Sequence, residues 1–412
     1  MIMAKRHSPL FRWSRGDCAV RAVLALLTLV LGYQSITYSL ALTTQNTNPV
    51  LAHKLAPGNG RITATLAATK FAADQSASTR FEVTRLAQRA LLQDAMAVQA
   101  VTALGLQAQL RGDTAKARLL FDYANTLSRR DLQVQLWTIE DAIARGDIPR
   151  TLHEYDVALR TSKAAPDLLF PVLSGAISEG EVRRNLVKTL AKRPQWANDF
   201  VSYVANAGVD PKSVISLFVD LHRSRVTVPA DDERAAITRL IQVNETLSAW
   251  NYYSKLRRSP DRRSSRDPQF AMHLEAPTPF DWVISNDASV SASIDTEAGK
   301  SYLNFVAPSS VGGSVVQQMQ FLLPGRYQIE GLSRGIDQPS DSTPYWSLSC
   351  WRGRELGQVV VPSSGTAEGR FSGMFSVPAD CPVQMLTLFL RASDAVGGVS
   401  GQIDQVRLKA AP

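Results

Sequence analysis

The distribution of apolar positions changes character twice along the chain. Between Ala22 and His53 there is no Asp, Glu, Lys or Arg, and Ala22–Gly32 is almost uninterrupted Ala, Val and Leu, followed by a milder stretch to Leu42. A helix over 22–42 would be about 31 Å long at ~1.5 Å per residue, close to the ~30 Å hydrocarbon thickness of a bilayer. From about 62 to 254 apolar residues recur every three or four positions with few Pro or Gly, which predicts helices, among them 178–193, 195–207, 211–223 and 234–248. From Gln269 the period falls to two. Candidate strands are Tyr302–Phe305, Val315–Phe321, Tyr327–Ser333, Tyr345–Trp351, Gly357–Val361, Arg370–Val377, Gln384–Arg391 and Gly401–Leu408. Eight short strands separated by Gly, Pro, Ser and Asp clusters predict an antiparallel β-sandwich. The fold class is therefore multidomain, α then β, behind an N-terminal apolar helix.

Charge orients that helix. Lys5, Arg6, Arg12, Arg15 and Arg21 precede it against Asp17 alone, and Lys54 is the first charge after it. The positive-inside rule keeps 1–21 as a cytoplasmic basic tail, makes 22–42 a transmembrane signal anchor and exports the rest. A cleaved signal peptide is the other reading, with Ser39 and Ala41 as its small-x-small site. The apolar stretch exceeds the usual h-region of ~7–15 residues, and its Tyr-rich outer end suits an interfacial belt, which favours the anchor. Residues 43–61, with their turn formers, read as a tether. The expected location is the inner membrane, single-pass, with the bulk of the chain in the periplasm. Cysteines can pair there, and Cys350 and Cys381 are the exported pair, expected to be bridged.

Inside the helical region, positions recur every 34 residues: Ala90, Ala124 and Ala158 align, Phe121 aligns with Tyr155, and Gly112-Asp113 aligns with Gly146-Asp147. With Leu104, Gly105, Ala108, Gly112, Ala117, Phe121 and Ala124, the middle unit resembles the tetratricopeptide pattern. Small residues stand where two antiparallel helices cross, Gly-Asp at the turn, and an aromatic then Ala on the second helix. Val101 stands where that pattern has an aromatic. The resemblance implies a solenoid of stacked helix pairs, here assigned to 62–254, whose groove binds a protein partner. Asp231-Asp232-Glu233 opens a helix, where acids complement the helix dipole.

Residues 255–268 (KLRRSPDRRSSRDP) hold six cations, two acids and two prolines and read as a basic linker. The domain after it, 269–412, resembles the jelly-roll modules of the galactose-binding-like kind. The residues that carry the resemblance are Phe280-Asp281-Trp282, Leu323-Pro324-Gly325-Arg326-Tyr327, Val377-Pro378-Ala379-Asp380-Cys381 and Ile403–Leu408. Many carbohydrate-binding modules share that fold. On Tyr345–Trp351 the period of two puts Trp346, Leu348 and Cys350 on one face and Tyr345, Ser347, Ser349 and Trp351 on the other. With the first face in the core, Tyr345 and Trp351 become candidate glycan contacts, unless a loop covers them. Trp282 reads as core.

Catalytic motifs are absent or out of context. Gly331-Leu332-Ser333-Arg334-Gly335 fits G-x-S-x-G, but that elbow needs a strand, a helix and a later histidine, and no His follows His273. The five histidines have no metal-ligand spacing, three cysteines cannot form a four-thiolate site, and no P-loop or dinucleotide fingerprint occurs. No enzyme activity, cofactor or metal is expected. The net charge of +8 resides in two places: 1–21, with five cations against one acid, and 255–268, with six against two. The remainder balances, which excludes a broad nucleic-acid-binding surface. The whole order resembles a family of anchored periplasmic repeat proteins of proteobacteria associated with exopolysaccharide gene clusters. The resemblance implies a scaffold in envelope polysaccharide assembly or export, with a protein partner on the repeats. The alternatives are a carbohydrate-binding protein and, last, a glycan-processing enzyme.

Overall fold

A computed structural model describes residues 15–207, 210–257, 260–285 and 289–412. Lys5, Arg6 and Arg12, expected in a cytoplasmic tail, lie outside these. Packing divides the chain at Leu169/Phe170 into two compact units.

The first unit begins with α1 (Arg15–Thr44), continuous through the apolar stretch. Then come α2 (Pro49–Leu55), α3 (Gly60–Ala73), α4 (Ala77–Gln93), α5 (Val98–Leu110), α6 (Thr114–Leu127), α7 (Leu132–Ala144) and α8 (Ile148–Thr161). Residues 43–61, expected as a tether with turns, contain α2 and the start of α3. α1 runs to Thr44, and α2 folds back so that Ala41, Ala52 and Ile62 bury one another.

From α3 to α8 the helices pack as consecutive pairs, and their local chemistry explains the register. Gly112 and Gly146 take the left-handed conformation (φ 77° and 69°) that ends α5 and α7, where a Cβ would be strained. Asp113 and Asp147 then cap α6 and α8 by accepting from the amides of Lys116 and Arg150. Gly105 faces Phe121, and a Cβ there would come within 2.9 Å of the ring. Phe121 stacks on Trp137 of the next pair at 4.3 Å. Ala90, Ala124 and Ala158 are fully buried, as are Ala108 and Ala117, with Tyr155 nearly so and Leu104 half-buried. Arg118 and Arg145 both reach Asp141, which ties α6 to α7.

α9 (Ala165–Ala176) straddles the division, and α10 (Gly180–Leu190), α11 (Ala197–Ala207), α12 (Pro211–Arg223), α13 (Ala230–Gln242) and α14 (Thr246–Leu256) follow. Asp231, Asp232 and Glu233 occupy the first turn of α13. Asp232 is buried and accepts from Ser202, and Glu233 meets His222 at 2.8 Å. Burial raises both carboxyls above their usual range.

The second unit also contains two five-stranded antiparallel sheets. Their strands are β1 (Val283–Ile284), β2 (Ser291–Glu297), β3 (Lys300–Ala307), β4 (Gly313–Gln320), β5 (Gly325–Arg334), β6 (Tyr345–Cys350), β7 (Glu355–Val360), β8 (Gly369–Val377), β9 (Gln384–Leu390) and β10 (Val399–Ala410). One sheet runs β1-β4-β9-β6-β7 and the other β2-β3-β10-β5-β8. Alternate residues of both fill one core, in which Trp346 and Leu348 of β6 and Leu386 and Leu388 of β9 are fully buried. Trp282 joins that core, 5.7 Å from Trp346. The Cys350–Cys381 disulfide is present. It forms because β6 and β9 pair, with Cys350 opposite Gln384, three residues beyond Cys381. In the chain-entropy picture a loop of 31 residues is worth roughly 3–4 kcal/mol.

The basic stretch 255–268 is not a free linker. Ser265 exchanges two hydrogen bonds with Leu408 of β10, and Arg263 accepts from Ala410. The Arg262 guanidinium lies 4.3 Å over Phe321. Arg266 is buried and donates to the carbonyls of Phe280 and Met319 and to Gln320. Its plane lies 5.5 Å from the Trp250 ring of α14. Trp250 stacks on Phe321 at 5.3 Å, and Tyr253 donates to Asp281 at 2.8 Å. A buried guanidinium is costly unless every donor is used, and here the carbonyls, amides and rings of α14 and the sandwich surround it.

Candidate functional site

The face of the β1-β4-β9-β6-β7 sheet that turns away from the core is built by the same alternation that makes the core. Tyr345 of β6 lies opposite Phe389 of β9 on one side and Val360 of β7 on the other. The Tyr345 and Phe389 rings stack at 5.5 Å with 20° between their planes, both half-buried, and Val360 is exposed. Arg391, two residues beyond Phe389, holds its guanidinium 4.7 Å from the Tyr345 centroid.

The next row across the strands is polar: Gln358, Ser347 and Thr387. The row after that carries Glu355, Ser349 and Met385. Ser347 Oγ donates to Glu355 Oε1 at 2.6 Å, and Gln358 Nε2 donates to Glu355 Oε2 at 3.2 Å. Glu355 and Gln358 stay exposed while Ser347 and Thr387 are buried at the floor. An apolar step of two rings and a valine thus borders a shelf of amide, hydroxyl and carboxylate groups. Such a surface can take a ligand with one apolar face and several hydroxyls.

Of the two sequence-predicted contacts, Tyr345 stands on this face. Trp351 stands apart from Tyr345, two residues beyond Ser349 of the last row. It lies in the β6–β7 turn, six residues or about 20 Å along the strand direction. Its backbone N–H donates to Val383, Arg352 covers its ring at 5.5 Å, and its buried indole N–H has no partner. Phe389 and Arg391 escaped the sequence reading. The period-two pattern of Gln384–Leu390 holds the signal, because Met385, Thr387 and Phe389 alternate with core leucines.

A second concavity of about 590 Å³ lies beside β1 and β2, lined by Arg266, Asp267, His273, Glu275, Trp282 and Ile294 among others. Its buried polar groups are spent internally: Trp282 Nε1 donates to the Asp267 carbonyl, and the Gln318 amide to the Arg266 carbonyl. Ser333 of the G-x-S-x-G match is buried in β5, its hydroxyl 3.4 Å from Ser364. No group of three His, Cys, Asp or Glu suited to a metal occurs among the described residues.

Compared with known proteins, the chain matches no family model and no curated protein. Solved structures similar to it include the carbohydrate-binding module TmCBM61 in complex with β-1,4-galactotriose. That pair is 18% identical over 37% of this chain and 100% of that one, with a TM-score of 0.28. A CBM4 structure is 15% identical over 37% and 99%, TM-score 0.27. The CBM22-1 xylan-binding domain of Xyn10C from Paenibacillus barcinonensis is 13% identical over 36% and 94%, TM-score 0.24.

Proposed function

We propose that this is a non-enzymatic, membrane-anchored protein that binds polysaccharide through the outer face of its β1-β4-β9-β6-β7 sheet. The observation that carries the reading is the paired Tyr345 and Phe389 rings set beside the Ser347–Glu355–Gln358 shelf. The C–H face of a pyranose packs on aromatic surface, while its equatorial hydroxyls need donors and acceptors at the rim. Glu355 accepts, Gln358 both donates and accepts, and Arg391 donates. Arg391 already lies over Tyr345, so it stands ready to reach a hydroxyl or a uronate carboxylate from the ring edge. Pairing of β6 with β7 and β9 holds these residues in register, so the face is organised before ligand arrives.

In this reading α1 is a transmembrane anchor and the rest of the chain lies in the periplasm. The helix pairs act as a tetratricopeptide-like scaffold for a protein of an envelope or exopolysaccharide assembly complex. One observation favours that second role. Phe81 and Leu92 of α4 and Leu119 and Tyr123 of α6, the second helices of their pairs, are large and exposed. Tyr123 donates to the Ala95 carbonyl, next to exposed Met96.

The test is a glycan array probed with the full chain in detergent micelles. Retention of one or more β-linked polysaccharides, abolished in a Tyr345→Ala, Phe389→Ala double variant that keeps its thermal transition, is the expected result. Binding that survives the double variant would refute this face as the site, and silence across bacterial envelope glycans would refute the function.

A further inference from the structure

Every α1 side chain described from Cys18 to Ile36 is exposed. The first to be buried is Ala41, which the α2–α3 region covers. Twenty residues of helix from Cys18 reach Tyr38 and span about 30 Å, the thickness of the hydrocarbon layer. Arg21 then sits within a turn of the inner boundary, where a long basic side chain extends back to the headgroups. Tyr38 falls at the outer boundary, where tyrosine concentrates, with Tyr33 about 8 Å below it.

Against this outer part of α1 stands the corner between α2 and α3. Asn59 Nδ2 donates to the Tyr38 hydroxyl at 3.3 Å. Between corner and helix lies a groove of about 570 Å³, bounded by Leu31, Ser35 and Tyr38 on one side and Leu55, Ala56 and Asn59 on the other. Leu31 is seven residues below Tyr38, about 10 Å deeper. On the α1 side Leu31 lies deepest, followed by Gln34, Ser35 and Thr37, and Leu55 and Ala56 supply the apolar part of the opposite wall. Val50 and Leu51 of α2 remain exposed beside the span, and exposed Lys54 precedes Leu55.

We infer that the α2–α3 corner is immersed in the periplasmic leaflet and that its groove with α1 holds a phospholipid. The inference rests on α1 being retained as an anchor. Continuity with the span fixes the depth, about 10 Å for interfacial elements. Leu31 and Leu55 offer contacts to an acyl chain, Ser35 and Asn59 offer hydrogen bonds nearer its headgroup, and exposed Lys54, one residue before Leu55, supplies a cation for the phosphate. The packing of Ala41 on Ala52 and Ile62 also places the Ser39–Ala41 sequence inside a docked helix, where a peptidase that needs extended backbone would not read it.

The experiment uses the full chain with Cys18→Ser, in nanodiscs of phosphatidylethanolamine and phosphatidylglycerol. Nitroxides are placed at Leu55→Cys or Gly58→Cys, with Leu26→Cys as the membrane reference and Leu92→Cys as the aqueous one. Labels at 55 and 58 should favour collision with oxygen over a nickel chelate, at a depth of roughly 5–10 Å. Labels there as open to nickel as the one at 92, with 26 still in lipid, would overturn the inference and leave the anchor standing. A label at 26 in water, or a mature chain lacking 1–41, would overturn both. Native mass spectrometry of the released protein should show retained phospholipid, reduced several-fold by Ser35→Trp. Equal retention, or a bound peptide in place of lipid, would contradict the assigned occupant.

Discussion

Single side chains set the spacing of the helix pairs. Gly105 exists to admit the Phe121 ring, and Phe121 carries Trp137 of the next pair. Gly105→Ala should therefore cost about 1–3 kcal/mol by overpacking, and Phe121→Ala about 3–5 kcal/mol by the cavity it leaves. Calorimetry of both variants checks this, and an unchanged transition in Gly105→Ala would show that the crossing is looser than described. Asp141 supplies the pH-dependent contribution. The hydrogen bond from Arg118, then the charges of Arg118 and Arg145, hold its carboxyl below the usual range against the opposing effect of burial. A lowered carboxyl stabilises the fold above its unfolded value of about 3.9 and loses that contribution as pH falls through the folded value. Asp141→Asn should cost about 1 kcal/mol at pH 7, because both arginines are partly exposed. The difference should shrink as the pH falls below about 3.9 and through the folded value, as urea titrations across the acid range would reveal. At this scale the candidate site was half legible: Tyr345 followed from alternation on its own strand, whereas Phe389 is visible only when β6 and β9 are known to pair.

Among elements, the two Gly-Asp corners could be read because each residue does one local job, a left-handed turn followed by a cap. β2 could not be read, since an edge strand of sequence SASIDTE turns only Ala292 and Ile294 toward the core. The stretch 255–268 misled for a related reason. Composition distinguishes a solvated arginine from one buried among carbonyls and rings only through its partners, and those of Arg266 lie up to 54 residues away. A consequence follows for native proteolysis. Trypsin should cut after exposed Arg129 and Arg130 well before Arg262, Arg263 or Arg266, although composition alone favours the latter. Early release of a stable 267–412 fragment would contradict the packing of α14 on the sandwich. The disulfide makes a parallel prediction: non-reducing peptide mapping should recover Cys350 joined to Cys381, with Cys18 as a free thiol.

For the molecule as a whole, the net charge of +8 acquires a different meaning from a basic binding surface. One half belongs to residues 1–21, ahead of the apolar helix. Much of the other half is held against α14 and the sandwich, through Arg257 on Asp281, Arg262 on Phe321 and Arg266 at the joint. The rest of the sequence balances in charge, and in the proposed reading hydroxyls are recognised by stacked rings and a small polar shelf. Affinity electrophoresis of the full chain through gels containing the polysaccharide retained on the array tests this most directly. Phe389→Ala should weaken retardation about 30-fold, equivalent to roughly 2 kcal/mol, while Trp351→Ala should change it less than about 2-fold. The reverse order, with Trp351 essential and Phe389 dispensable, would contradict the account.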